Sequence, residues 1–286
     1  MKATNKIHIA FSIVLAICMS SCGLYSKYQP QHPEADTITT PAYTEIFTDA
    51  PLQQLIARAL EQNLDLKMAH ERVAQGNARL LGAKLGYVPS LGLAAQGELN
   101  GRTYQVGAQV DWQIDIFGRL YNQMKMADAD RLSAQDEAQL YRAELVASVA
   151  RHYYRLLMLD AQIRTVDSIG ETFRASVEAL VAMKEAGICD EAAVAQYEGN
   201  FYGVLAQSRQ LQLERHETEN AIRLLLSDPD YATIERTDLS TSTQSYAIES
   251  IPLSAVLTRP DVRKAEHELQ RTHYGVQLGR ANCCPN

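Results

Sequence analysis

Residues Leu91–Arg119 read LGLAAQGELNGRTYQVGAQVDWQIDIFGR, and the fold turns on how they are read. From Thr103 onward apolar and polar residues alternate. Tyr104, Val106, Ala108, Val110, Trp112 and Ile114 fall on one side of an extended chain, and Gln105, Gly107, Gln109, Asp111, Gln113 and Asp115 on the other. Successive side chains of a strand point to opposite faces, so the pattern predicts a strand with one apolar and one polar face. Leu91, Leu93, Ala95 and Leu99 repeat it more weakly against Gly92, Ala94, Gln96 and Glu98. Between the runs sits Asn100-Gly101, the pair favoured where both central residues of a tight hairpin turn need positive φ. Such a hairpin fits two settings. It packs on a soluble core, or it supplies two strands of a membrane barrel, apolar side to lipid and polar side to a watery lumen. Tyr87, Tyr104, Trp112, Phe117 and Tyr121 suit the aromatic girdles of the second setting. The second strand also has about the 9–11 residues a tilted strand needs to cross hydrocarbon.

On either side the sequence reads as helix. Asp49-Ala50-Pro51 opens one, with Asp49 placed to cap it, and Leu52, Leu55, Ile56, Ala59 and Leu60 keep helical spacing. The pattern resumes after Asn63 and runs to about Leu85, where Gly86 and Pro89 stop it. No proline occurs between Pro89 and Pro229. From Gly118 to about Glu185 good helix formers dominate, and apolar residues recur at three- and four-residue steps from Leu140 through Val149, Tyr153, Leu156, Ile163, Val166, Ile169 and Phe173 to Leu180. That is coiled-coil-like spacing in a helix about 100 Å long at about 1.5 Å per residue, with Gly170 a candidate bend. Glu185-Ala186-Gly187 ends it, Asp190 caps the next helix to about Leu226, and Ser227-Asp228-Pro229 stops that one. A polar stretch follows, and a last helix starts near Ile251-Pro252 or restarts at Arg259-Pro260.

The last helix resembles the one after Asn63. Leu64-Asp65-Leu66-Lys67-Met68-Ala69 aligns with Pro260-Asp261-Val262-Arg263-Lys264-Ala265, and the same shift carries Pro89 onto Pro285. The reading is a duplicated unit of helix, hairpin, long helix and helix. Residues 51–227 form the first copy, and 251–286 the beginning of a second that stops where its hairpin is due.

The chain's beginning reads as an export signal. Lys2 and Lys6 precede an apolar run, Ile7–Ile17, too short for a permanent span. Met19-Ser20-Ser21-Cys22-Gly23 resembles a lipobox, which makes 1–21 a lipoprotein signal peptide and Cys22 the lipidated residue. Residues 22–50, with Pro30, Pro33 and Pro41, read as a tether. The alternative is an ordinary secretory signal with a chance cysteine. A net charge of −7 without a basic cluster argues against nucleic acid as a partner.

Catalytic chemistry is not legible. His70-Glu71 lacks the second histidine of HExxH, His267 and His273 fall on different helix faces, and no GxSxG, P-loop or GxGxxG occurs. The expectation is a non-enzyme with no cofactor and no metal, its histidines on solvated helix faces.

Taken together, Leu52–Arg72, Trp112–Arg119 with its Phe117-Gly118-Arg119, Ala147–Leu159, Gly187–Gln196 and Leu257–Leu269 resemble the TolC-like outer-membrane efflux channels, in the lipoprotein branch serving resistance-nodulation-division pumps. The resemblance covers roughly residues 50–285. It implies a mainly α fold with a β-hairpin, in which long coiled-coil helices build a periplasmic α-barrel and the strands join a transmembrane β-barrel, with an internal two-fold repeat. It also implies a homotrimer in outer-membrane lipid, working with a periplasmic adaptor (membrane fusion) protein and an inner-membrane resistance-nodulation-division transporter. Gln105, Gln109, Asp111, Gln113 and Asp115 would face the lumen, and Gly187, Asp190, Glu191 and Val194 would form the periplasmic tip. Ala193 stands where relatives often carry aspartate, so Asp190 and Glu191 become candidates for any charged gate. One hairpin from each of three protomers supplies fewer strands than the smallest natural barrels, about eight. The expectation is therefore a truncated form that does not build a working channel by itself. The competing class is a periplasmic structural or adaptor-like coiled-coil lipoprotein without a pore, which has no use for a lipid-facing hairpin.

Overall fold

The computed structural model describes residues 27–30, 43–98, 103–231, 233–239 and 256–283. A short helix, α1 (Tyr43–Ile46), precedes α2 (Ala50–Gln62) and α3 (Leu64–Leu85). The hairpin β1 (Ser90–Glu98) and β2 (Thr103–Asp111) follows, then the 67-residue α4 (Arg119–Glu185), α5 (Glu191–Leu226) and α6 (Pro260–Asn282). From α2 onward the helix bounds lie within a residue or two of those the sequence suggests, because prolines, glycines and caps act locally. α3 and α6 each begin one residue before the aspartate that the sequence alignment pairs, Asp65 with Asp261.

Two compact units divide the described residues. One contains Ala69–Gln139, with most of α3, the hairpin and the start of α4, together with α6. Its helices approach closely. A Cβ on Gly76 would stand 3.2 Å from the Arg131 backbone, so the glycine sets that spacing. Buried small residues such as Ala129 and Ala138 leave charged groups to mark the register. Lys264 and Arg72 both reach Glu137, and Arg263 and His267 flank the buried Asp136. His267 is thus a correction to the expectation of solvated histidines, because the carboxylate it faces needs a partner on leaving water.

The other unit contains Thr39–Met68 and Leu140–Ser250. Leu52, Leu55, Ile56 and Ala59 of α2 pack with Leu145, Val149, Tyr153, Leu156 and Leu157 of α4, Ile222 and Leu226 of α5, and Ile234. A side chain buried this way contributes roughly 1.5–3 kcal/mol. Burial fades farther along α4. Ile163 and Val166 are buried, whereas Phe173 and Leu180 are half-exposed and Ile169 is exposed. The coiled-coil spacing continues past the point where this chain supplies neighbours to fill it. The helix continues unbroken through Gly170, where an added Cβ would stand 3.7 Å from Val204 of α5.

Candidate functional site

The hairpin is antiparallel, and its register pairs like with like. Leu91 faces Val110, Leu93 faces Ala108 and Ala95 faces Val106 on one side. Gly92 faces Gln109, Ala94 faces Gly107 and Gln96 faces Gln105 on the other. A slip of one residue would interchange the faces, so the pairing preserves the apolar stripe. The pairing closes around residues 99–102, and the turn expected at Asn100-Gly101 lies outside the described residues. Among the described residues nothing covers the stripe: Leu93 is 81% and Val106 83% exposed, and Leu91 and Val110 are exposed as well. Among the described residues the sheet has two strands, so each keeps an unpaired edge.

Gln105, Gln109 and Asp111 lie on the polar side and are exposed, and Gln109 Nε2 donates to Asp111 Oδ2 at 3.0 Å. Gln113 and Asp115 do not continue that row, which corrects the expectation of one strand through Asp115. β2 ends at Asp111 because its partner begins at Ser90, immediately after Pro89. Proline has no amide to extend a ladder. Gln113 instead accepts from Arg119 Nη2 at 2.6 Å, and the half-buried Asp115 accepts from the Tyr121 amide at 2.8 Å. The signal for this was in the sequence: glycine precedes Arg119, and a glycine at the head of a helix offers no side chain to cap it.

The second predicted site is one local turn. Gly187 adopts φ +74°, and the Ile188 amide donates to Met183 O at 2.8 Å while the Gly187 amide donates to Lys184 O at 2.9 Å. These paired bonds close the end of α4 and reverse the chain. Asp190 Oδ1 accepts from the Ala193 amide at 3.0 Å and caps α5. Glu191 pairs with Lys184 across the turn, and its carboxylate raises the Lys184 pKa. The pair is exposed and contributes little stability. Val194 is 3% exposed and packs inward. Asp190 and Glu191 thus have structural partners, and Ile188 is the exposed apolar residue at the turn.

Cys22 lies outside the described residues. Tyr28, six positions on, donates from its hydroxyl to Glu266 Oε1 at 2.5 Å and stacks edge-on with His273. Burial, then the Glu266 carboxylate, pushes the phenol up to about 12. This contact of the tether with α6 has no sequence signal, since it joins residues 238 positions apart. Among the described residues no helix is long and apolar enough to cross a membrane.

The family described as outer membrane efflux protein matches residues 55–227. The chain is 24% identical to the cation efflux system protein CusC of Escherichia coli O6:H1, over 95% of this chain and 65% of that protein. It is 23% identical to the probable outer membrane lipoprotein SilC of Salmonella typhimurium, over 97% and 65%. The solved outer-membrane channel OprN has the same fold, with a TM-score of 0.78 at 23% identity over 91% of this chain and 64% of that one. The chain thus spans about two thirds of the length of the relatives it matches.

Proposed function

This chain belongs to the outer membrane efflux protein family, and from that premise we propose that it is a subunit of a trimeric duct for small molecules leaving the cell. The duct would receive its cargo from an inner-membrane pump of the resistance-nodulation-division class through a periplasmic adaptor. The protein is an outer-membrane one, and acylation at Cys22 is its proposed attachment beside the strands. Mass spectrometry of the mature N-terminus tests that attachment: an unmodified terminus, or cleavage elsewhere, contradicts it.

The observation that carries the reading is the hairpin. Its register keeps one face apolar across both strands, and that face is bare. In water an exposed stripe of this kind is a liability, whereas against lipid it is the required surface. Unpaired strand edges are not tolerated in hydrocarbon, so the reading also demands that neighbouring strands close on both edges. Trp112, Ile114 and Ile116, all exposed beyond the last pair, suit the interface. The same need for neighbours accounts for the half-exposed apolar residues along α4. With Ile188, they are the proposed contacts to sister subunits and adaptor.

Single cysteine probes at Gln105, Val106, Gln109 and Val110, in protein recovered from the outer membrane, test this. Water-soluble reagents should label 105 and 109, and lipid-phase quenchers should reach 106 and 110. Uniform aqueous labelling would return the hairpin to the class of soluble packing elements and favour a pore-less periplasmic lipoprotein.

A further inference from the structure

The long helix α4 has no side chain at its N-terminal cap position. The residue before it is Gly118, held at φ +71°, a conformation that costs an L-residue about 1–2 kcal/mol. The first amides of a helix need acceptors from outside it, and a side chain at the cap usually supplies one. Here the acceptor comes from farther back. Gly118 turns the chain so that Asp115, in the linker from β2, presents Oδ2 to the amide of Tyr121, the third helical residue, at 2.8 Å. A carboxylate is the fitting group there, because the helix start is its positive end. The hydroxyl of Tyr87 also reaches that oxygen, at 3.4 Å. Tyr87 stands in the turn between α3 and β1, donating its amide to Lys84 O. Gln113 and Arg119 close the same linker by a second bond of 2.6 Å.

One carboxylate therefore touches the way into the hairpin, the way out of it and the start of the next helix. We propose that Asp115 is the clasp at the hairpin root, a positioning residue that fixes the direction in which both strands leave the helices. Phe117-Gly118-Arg119 then has a mechanical meaning. Gly118 permits the turn, Arg119 ties back to Gln113, and Asp115 supplies the charge. The clasp's role in aiming strands at the bilayer rests on the membrane reading above, but the clasp itself is a separate observation and can be tested separately.

The test uses the full chain in outer membrane or detergent. Amide hydrogen exchange at Leu120–Asn122 should speed up about tenfold in Asp115→Ala, the effect of losing a helix cap. Asp115→Asn keeps an acceptor oxygen and should restore most of the protection, a rescue that general destabilisation does not predict. Spin labels at Gln109 and Gln123 should show a broadened distance distribution in D115A and a narrow one in D115N. Tyr87→Phe, which deletes one hydroxyl, should broaden the distance from Gln96 to Gln123 while leaving Tyr121 exchange unchanged, and it serves if D115A does not accumulate. Unchanged exchange and distances in D115A, or unchanged distances in Y87F, would overturn the clasp. A working clasp in a hairpin that shows no alternating lipid access would leave the geometry standing and overturn its membrane role.

Discussion

Asn63 Nδ2 donates to the carbonyl of Leu225 at 2.9 Å, joining the start of α3 to the end of α5. The other end of the same amide, Oδ1, accepts from the Leu66 amide at 2.9 Å and caps α3. Ser227 completes the junction. It ends α5 at φ 53°, the one positive φ outside glycine among the described residues, and its Oγ accepts from the Leu64 amide at 3.2 Å. Each helix end thus satisfies groups the other leaves open.

Asn63→Ala should therefore destabilise the protein by about 2 kcal/mol, a lost cap plus the lost bond to a half-buried carbonyl. Asn63→Ser can still cap and should cost about half of that. Chemical denaturation midpoints in detergent measure both, and equal losses from the two variants would contradict the two-part role.

Tyr153 is fully buried, and its hydroxyl donates to Asp49 Oδ2 at 2.8 Å and accepts from the Thr237 amide at 3.2 Å. Asp49 stands at the head of α2 as the sequence suggests, yet its side chain serves Tyr153 and Thr237 rather than the helix amides. Tyr153→Phe should cost about 1 kcal/mol, because Asp49 and the Thr237 amide both lose a hydrogen-bond partner at a half-buried site. Thr237→Val leaves the Tyr153–Asp49 bond in place and should cost less in the same denaturation experiment.

His152 titrates low, chiefly from burial and then from repulsion by Arg151 and Arg155. Its ordinary pKa is about 6.5. Above that value neither the folded nor the unfolded state holds the proton, and His152 is silent. As pH falls below it the unfolded chain binds the proton first, so stability is lost until the lower folded pKa is passed. Stability lost between pH 7 and pH 5.5 should be smaller in His152→Gln. Equal pH dependence in both proteins would remove His152 as a source of acid sensitivity.

Gly187→Ala isolates a backbone effect. A Cβ there meets nothing within 4 Å, so crowding contributes nothing and the positive φ decides the outcome. A loss of about 1 kcal/mol is expected. Crosslinking from the native Cys189, two residues on, should capture a sister subunit or a periplasmic adaptor. Capture of only external partners would reverse the proposed orientation of the turn.

What the sequence determined by itself is local. The bounds of α2 to α6, the strand alternation, the hairpin and the Gly187 turn follow from proline, glycine, caps and periodicity, whose effects reach only a few residues. Which side chains meet was a matter for the tertiary structure. Asp115, Gln113 and Asp49 each serve a different partner from the one their position in the pattern suggests. A polar residue on an alternating strand reads as water-facing until the strand's partner runs out at Pro89, and an aspartate before a helix reads as its cap until Tyr153 arrives from 104 positions away. Periodicity records which face a residue occupies. Hydrogen bonds depend on what the fold brings to that face, and those contacts span distances along the chain that no local pattern encodes.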